Sequence, residues 1–248
     1  DGWVVGQFVG TTALAAVGIA FPVIFLLSSL FIGLSIGASV MIAQYIGSED
    51  RDAVRRSVNT VYGAFMVSII PLTVFGLAIA GPVLRLIQVP ESTYDQAHIY
   101  LLVVFAGIIG SLGYNINAGI LQGLGDSRTP LLFLAVACVI NIVLDLVFVL
   151  VFHWDVFGVA LATIIAQISS WLFGIFYVNR KYSYFSIRPF RLAIEKPLLR
   201  RVLRLGVPSG IQQCQLAVAV LVLQVLINSS GEQFAASFSA ANKIDTFA

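Results

Sequence analysis

The sequence predicts an all-α protein, a polytopic membrane helix bundle. Three observations carry that expectation. Hydrophobic residues fill 59% of the 248 positions and charged residues only 10%, whereas soluble domains carry about 25% charge. The mean hydropathy is +0.96. The apolar residues also fall into stretches of the roughly 20 residues that a bilayer crossing needs. So little charge cannot cover a soluble surface or keep a chain disordered, and it leaves no basis for nucleic-acid binding. Membrane lipid is the expected surroundings.

The spans follow in order at 12–44, 57–80, 94–122, 130–152, 157–179 and 206–228. A partial span ends near Phe8 and another begins near Gln233. The breaks carry turn residues: Gly47-Ser48-Glu49-Asp50, Gly81-Pro82, Pro90-Glu91, Gly123-Leu124-Gly125-Asp126 and His153-Trp154-Asp155. The runs are too long for strands and lack two-residue alternation, which sets aside a membrane β-barrel. Pro71, inside the second full span, predicts a kink. Gly33, Gly37 and Ala38 predict close helix approach. The sequence opens on Asp1 and stops within an apolar segment, so the expectation is an internal piece of a larger membrane protein, with the rest of the same polypeptide as its partner.

Orientation follows from lysine and arginine. With the first loop inside, the inner positions hold Arg51, Arg55, Arg56, Arg128, Arg180, Lys181, Arg188, Arg191, Lys196, Arg200, Arg201 and Arg204. The outer loops hold Arg85 alone, and Lys243 lies in the last partial span. Residues 180–205 are read as a basic cytoplasmic linker between two membrane regions. A long inside loop explains the same charges equally well.

Asp145 is the informative polar residue, because a carboxylate at mid-bilayer costs about 2.5–3.5 kcal/mol on insertion scales. It must face protein or water. Asn141, four residues earlier, shares its helix face. Asp145 lies seven residues before the outer end of its span and Asp1 seven before Phe8, both roughly 10 Å deep at 1.5 Å per residue. Thr163, six residues past the outer start of its span, is roughly 9 Å deep. Two carboxylates, an amide and a hydroxyl at one level suit Na⁺, or a shared proton. Asn115 and Asn117 either line a substrate cavity or bond between helices. Lys243 and Asp245 are further candidate charges, although at i,i+2 on a helix they do not face one another. Cys138 and Cys214 sit in apolar runs, which excludes a secreted disulfide framework. His98 and His153 are too isolated for a metal cluster. There is no nucleophile–base pair and no phosphate-cradling glycine loop, so an enzyme is not expected and no cofactor is implied beyond a coupling ion.

Four segments resemble a known family. Gly37-Ala-Ser-Val-Met-Ile-Ala-Gln44-Tyr-Ile-Gly47, Leu121-Gln-Gly-Leu-Gly-Asp126-Ser-Arg-Thr-Pro130, Gly158-Val-Ala-Leu-Ala-Thr163 and Arg204-Leu-Gly-Val-Pro208 look, in this order, like signatures of the multidrug and toxic compound extrusion (MATE) family. The resemblance implies half of a two-lobe, twelve-helix transporter: residues 1–179 as N-lobe, 180–205 as linker and 206–248 as the start of the C-lobe. It implies a cation site at Asp1, Asn141, Asp145 and Thr163, with Asn115 and Asn117 near it. No acidic residue occurs in 206–228, so a coupling carboxylate in that helix is absent, and Lys243 and Asp245 resemble the branch with charges in the following helix.

The function expected is a secondary antiporter exporting small organic, often cationic, drugs or toxic compounds in exchange for Na⁺ or H⁺, acting as a monomer in the plasma (inner) membrane. The alternatives are a lipid-linked oligosaccharide flippase of the related superfamily, which the scarcity of Lys and Arg within the spans disfavours, a membrane enzyme, or a non-transporting membrane protein.

Overall fold

The computed structural model describes residues 2–229, apart from 88, 183, 190 and 191. Among these residues every regular element is helical. A short N-terminal piece, α1 (Gly2–Val4) and a π-helical turn (Val5–Val9), precedes α2 (Thr11–Gly47), α3 (Arg51–Leu86), α4 (Glu91–Ala106), α5 (Ile108–Gly123), α6 (Arg128–Leu146) with a π-helical turn (Val147–Val151), α7 (Asp155–Lys181) and α8 (Lys196–Ser229). Thr11–Ser29 within α2, all of α3, α6 with its π turn, and α7 are long and apolar enough to cross a bilayer, and α4 with α5 pass the same test when taken together as one bent pair. The chain is an integral membrane protein. Helices are the solution because hydrocarbon offers backbone N–H and C=O groups no other partner.

The helix ends sit where the sequence carries its punctuation. The Asp50 side chain accepts the Ala53 N–H at 2.9 Å and caps α3. Asp126 does the same for α6, accepting the Thr129 N–H at 3.1 Å. Gly125, between α5 and α6, has φ +85, a conformation that favours glycine.

Three boundaries differ from the sequence reading. The third span is not one straight helix: it bends by 52° between α4 and α5. The break is at Gly107, where a Cβ would lie 2.4 Å from Cδ1 of Ile164 on α7. Gly110 and Gly113 follow on the same face against Ile168 and Trp171, so the bend wraps the chain around α7. Second, α3 runs on through Pro71 and Pro82 to Leu86 instead of stopping near Ala80, because a proline removes one backbone donor and leaves the other helical bonds in place. Third, α7 continues to Lys181 and α8 begins at Lys196, so the non-helical connector is shorter than 180–205.

The largest single packing contact joins α2 to α8. Gly33 and Gly37 on α2 face Gly206 and Gly210 on α8, each pair four residues apart and hence on one helix face. A Cβ on Gly33 would lie 2.4 Å from the Gly210 backbone N, and one on Gly37 2.6 Å from the Val202 carbonyl. The two backbones therefore touch directly. The seam is tied at both ends. Ser29 Oγ and Cys214 Sγ are 2.7 Å apart. At the basic end Arg201 donates to the Tyr45 hydroxyl at 2.8 Å and to Gln44 Oε1 at 2.7 Å.

The other basic-end tie joins the α5–α6 loop to α7. Lys181 donates to Asp126 Oδ2 at 2.7 Å, and the Thr129 hydroxyl donates to the same oxygen at 2.7 Å. Partial burial alone would raise the Asp126 pKa. The bonds from Lys181 and Thr129 overcome it and hold the carboxyl at about 2. A depressed carboxylate contributes its stability above its ordinary value, and that contribution disappears as pH falls through the folded value.

Two outcomes follow. Gly33→Leu should separate α2 from α8 and lower stability by roughly 1–3 kcal/mol, read as a lower thermal midpoint in detergent. Gly18→Leu, where a Cβ meets nothing within 4 Å, should leave the midpoint within a degree or so, and equal losses would show that the glycine contact does not hold the seam. For Asp126, the infrared carboxylate band that disappears in Asp126→Asn should persist at about pH 3, where an ordinary aspartate is mostly protonated. A band lost near pH 4 would mean the Lys181 and Thr129 bonds are absent.

Candidate functional site

The α6 span is mostly turned outward, with only 17% of its most apolar window buried. Leu131, Leu132, Val139 and Val143 on it are all more than half exposed. Asp145 on the same helix is 0% exposed. This is the placement that the insertion cost of a carboxylate requires. It sits in the last turn of α6, and the π turn Val147–Val151 begins two residues later. Such turns re-aim the side chains around them.

Four polar side chains gather there from three helices. Asn141 Nδ2 lies 3.5 Å from Thr163 Oγ1 of α7, and Thr163 itself donates to the Val159 carbonyl at 3.0 Å. Tyr100 of α4, 5% exposed, shares a hydrogen bond with the Thr163 side chain and lies within electrostatic range of Asp145. The N-terminal piece packs on α6, on the π turn and on α7, so the chain just after Asp1 reaches this region. Asp1 itself, with Lys243 and Asp245, lies outside the described residues.

Depth counting puts Asp145 and Thr163 at one level and Asn141 about one turn deeper; in the structure α6 carries Asn141 and Asp145, and Thr163 of α7 lies 3.5 Å from Asn141. The structure adds Tyr100, which sequence reasoning missed. An aromatic near a span end reads as an interfacial anchor, and only the approach of α4 to α7 turns its hydroxyl inward. The donor set is made of hard oxygens, from carboxylate, amide and hydroxyl, the kind that suits an alkali cation or a proton. Among the described residues no group of three His, Cys, Asp or Glu is placed to hold a metal ion.

Asn115 and Asn117 sit elsewhere. Asn117 is 1% exposed, accepts a hydrogen bond from the Tyr62 hydroxyl of α3, and donates to the Trp171 carbonyl of α7 at 2.8 Å. Asn115 donates to its own helix at the Ser111 carbonyl, 2.9 Å away, and its backbone carbonyl accepts from Ser35 of α2. Of the two readings left open for these asparagines, the observed contacts are bonds within and between helices. Trp171 extends the cluster, meeting Phe65 edge to face with centroids 6.2 Å apart.

The MatE family model matches residues 1–147. The probable multidrug resistance protein YpnP of Bacillus subtilis is 32% identical over 247 residues, a match that covers 98% of this chain and 54% of that protein. Among solved structures, a MOP superfamily transporter from Pyrococcus furiosus, for which a reversed polarity of the binding pocket is reported to suggest a different function, superposes with a TM-score of 0.88 at 28% identity, covering 99% of this chain and 55% of that one. The outward-facing conformation of a multidrug resistance MATE family transporter of the MOP superfamily superposes with the same TM-score and identity, covering 100% of this chain and 55% of that one. The chain thus spans about half the length of the relatives it matches. With a family model over more than half its residues and the fold of that family's transporters along its length, this chain belongs to the MatE family.

Proposed function

We propose that the protein containing this chain is a secondary antiporter that exports small organic, often cationic, compounds in exchange for Na⁺ or H⁺ across the plasma membrane. The observation that carries the reading is the complete burial of Asp145 beside Asn141, Thr163 and Tyr100 in a span that is otherwise mostly exposed. An ionisable group kept in a bilayer under those terms is a functional site by default. Asp145 supplies the charge that a cation replaces or a proton neutralises. Asn141 and Thr163 supply neutral oxygens, Tyr100 orients Thr163, and Asp1 is the expected second carboxylate. Kinship with multidrug resistance proteins supports export of organic compounds. The described spans carry no Lys or Arg in their apolar middles, which favours cationic over anionic cargo.

Coupling is then a difference in cation affinity between two arrangements of the protein. Residues 1–179 act as the first lobe and α8 opens the second, with the connector on the cytoplasmic side. The α2–α8 seam is the contact between lobes that must part when the cleft opens toward the basic end.

Asp145→Asn in the full-length protein should abolish ion-driven export of a fluorescent organic cation while expression and insertion stay near the parent's, because the amide keeps the shape and loses the charge. Export at the parental rate would leave the carboxylate a structural role only. Parallel runs with a Na⁺ gradient at constant pH and a pH gradient without Na⁺ identify the coupling ion.

The seam yields a separate test. Ser29→Cys places a second thiol against the native Cys214, and oxidation should cross-link α2 to α8. The cross-linked transporter should stop exporting and recover on reduction. Undiminished export after complete cross-linking would mean that this seam does not open during transport.

A further inference from the structure

Outside the Asp145 neighbourhood, a concavity lies at the basic end of the bundle. It has a volume of about 350 Å³ and is lined by Arg55 and Asn59 of α3, Asn179 of α7, and Tyr182, Tyr184 and Arg188 of the connector. That is within the range of small-ligand sites. None of its lining residues is acidic. The nearest carboxylate is Asp52, paired with Arg55 at 3.0 Å on the open surface, where such pairs are worth little. Arg51 lies over the Tyr184 ring, 5.4 Å from its centroid, and adds a third guanidinium nearby.

The pocket is built and held. Asn179 donates to the Ile187 carbonyl at 3.0 Å and accepts the Ile187 N–H at 2.5 Å, so one side-chain amide pairs with the connector as a strand would. Phe185 and Ile187 are buried while Ser186 and Arg188 are exposed, the two-residue alternation of an extended chain lying on a surface. Arg188 follows directly on Ile187, which Asn179 fixes to α7, and this lowers the ordering needed to bind an anion.

Its surroundings indicate which anion. The pocket caps the ends of two membrane helices at the level where interfacial aromatics gather, and Tyr182, Tyr184 and Phe185 pack there ring to ring. Directly below, on the α7 face that carries Asn179, Phe176 is 63% exposed and Leu172 53% exposed. A phosphate would sit between two guanidiniums with tyrosine hydroxyls as further donors, above an apolar strip that accepts acyl chains. Basic pockets at the ends of membrane helices bind anionic lipid head groups on these terms.

We propose that this pocket is a binding site for the phosphate of an anionic phospholipid, such as phosphatidylglycerol, which pins the connector to the end of the first helices.

The test uses the full-length protein in a mild neutral detergent, with its thermal midpoint followed as lipid is added. Phosphatidylglycerol should raise the midpoint by several degrees through preferential binding to the folded state, and phosphatidylcholine should not. The rise should shrink at high salt. Arg55→Gln with Arg188→Gln, both surface changes, should remove the response and leave the lipid-free midpoint unchanged. Arg128→Gln, a basic-end cation outside the pocket, should keep it. Inorganic phosphate at millimolar concentration should not substitute for the lipid; equal protection by phosphate would make this a soluble-anion site and overturn the lipid assignment. A double variant that still responds as the parent does would place the lipid elsewhere and overturn the site.

Discussion

Direct backbone contact between helices, closest between α2 and α8, is the interaction by which this architecture packs. In a bilayer, burying apolar side chains between helices gains little, because lipid tails are as apolar as leucine, so association depends on how closely backbones approach. Four glycines, Gly33 and Gly37 against Gly206 and Gly210, allow that approach, and dispersion along the seam adds up over many small contacts. The same device recurs where Gly107, Gly110 and Gly113 receive Ile164, Ile168 and Trp171. Glycine in these helices trades local helix propensity for contact with a neighbour.

Once the helices are drawn together, polar groups that would be excluded from lipid acquire partners. Asn117 joins three helices through Tyr62 and Trp171, and with Phe65 it makes a buried polar and aromatic crosspiece. Asp145, Asn141, Thr163 and Tyr100 form a second polar centre. The two differ in chemistry. The first is made of neutral groups whose bonds close on one another. The second contains a carboxylate, whose charge state changes when an ion or proton arrives. That difference makes the second centre, not the first, the candidate for the proposed cation or proton site.

The basic end is organised rather than merely charged. Lys181 is held by Asp126 and by the Tyr177 hydroxyl, Arg201 lies over Tyr45 while bonding Gln44, and Arg56 binds Glu195. Apart from the Lys181–Tyr177 bond within α7, each tie links elements distant in sequence, so these cations fasten helix ends. Arg55 and Arg188 flank the basic-end pocket.

Much of this was legible in the sequence. The all-helical membrane class follows from composition and run length, because lipid leaves the backbone few solutions. The turns at residues 47–50 and 123–126 follow from their glycine and polar turn residues, and the shared face of Asn141 and Asp145 from helical spacing. Depth counting also brought Thr163 to the level of Asp145, since rise per residue is constant. What tertiary structure decided is everything that depends on a neighbour. The bend at Gly107 answers to Ile164. Tyr100 turns inward because α4 approaches α7, and Asn117 serves three helices because all three meet there. Sequence period and burial cost are local properties of one helix in lipid. Which helix lies opposite, and how near, is set by packing among segments far apart in the chain.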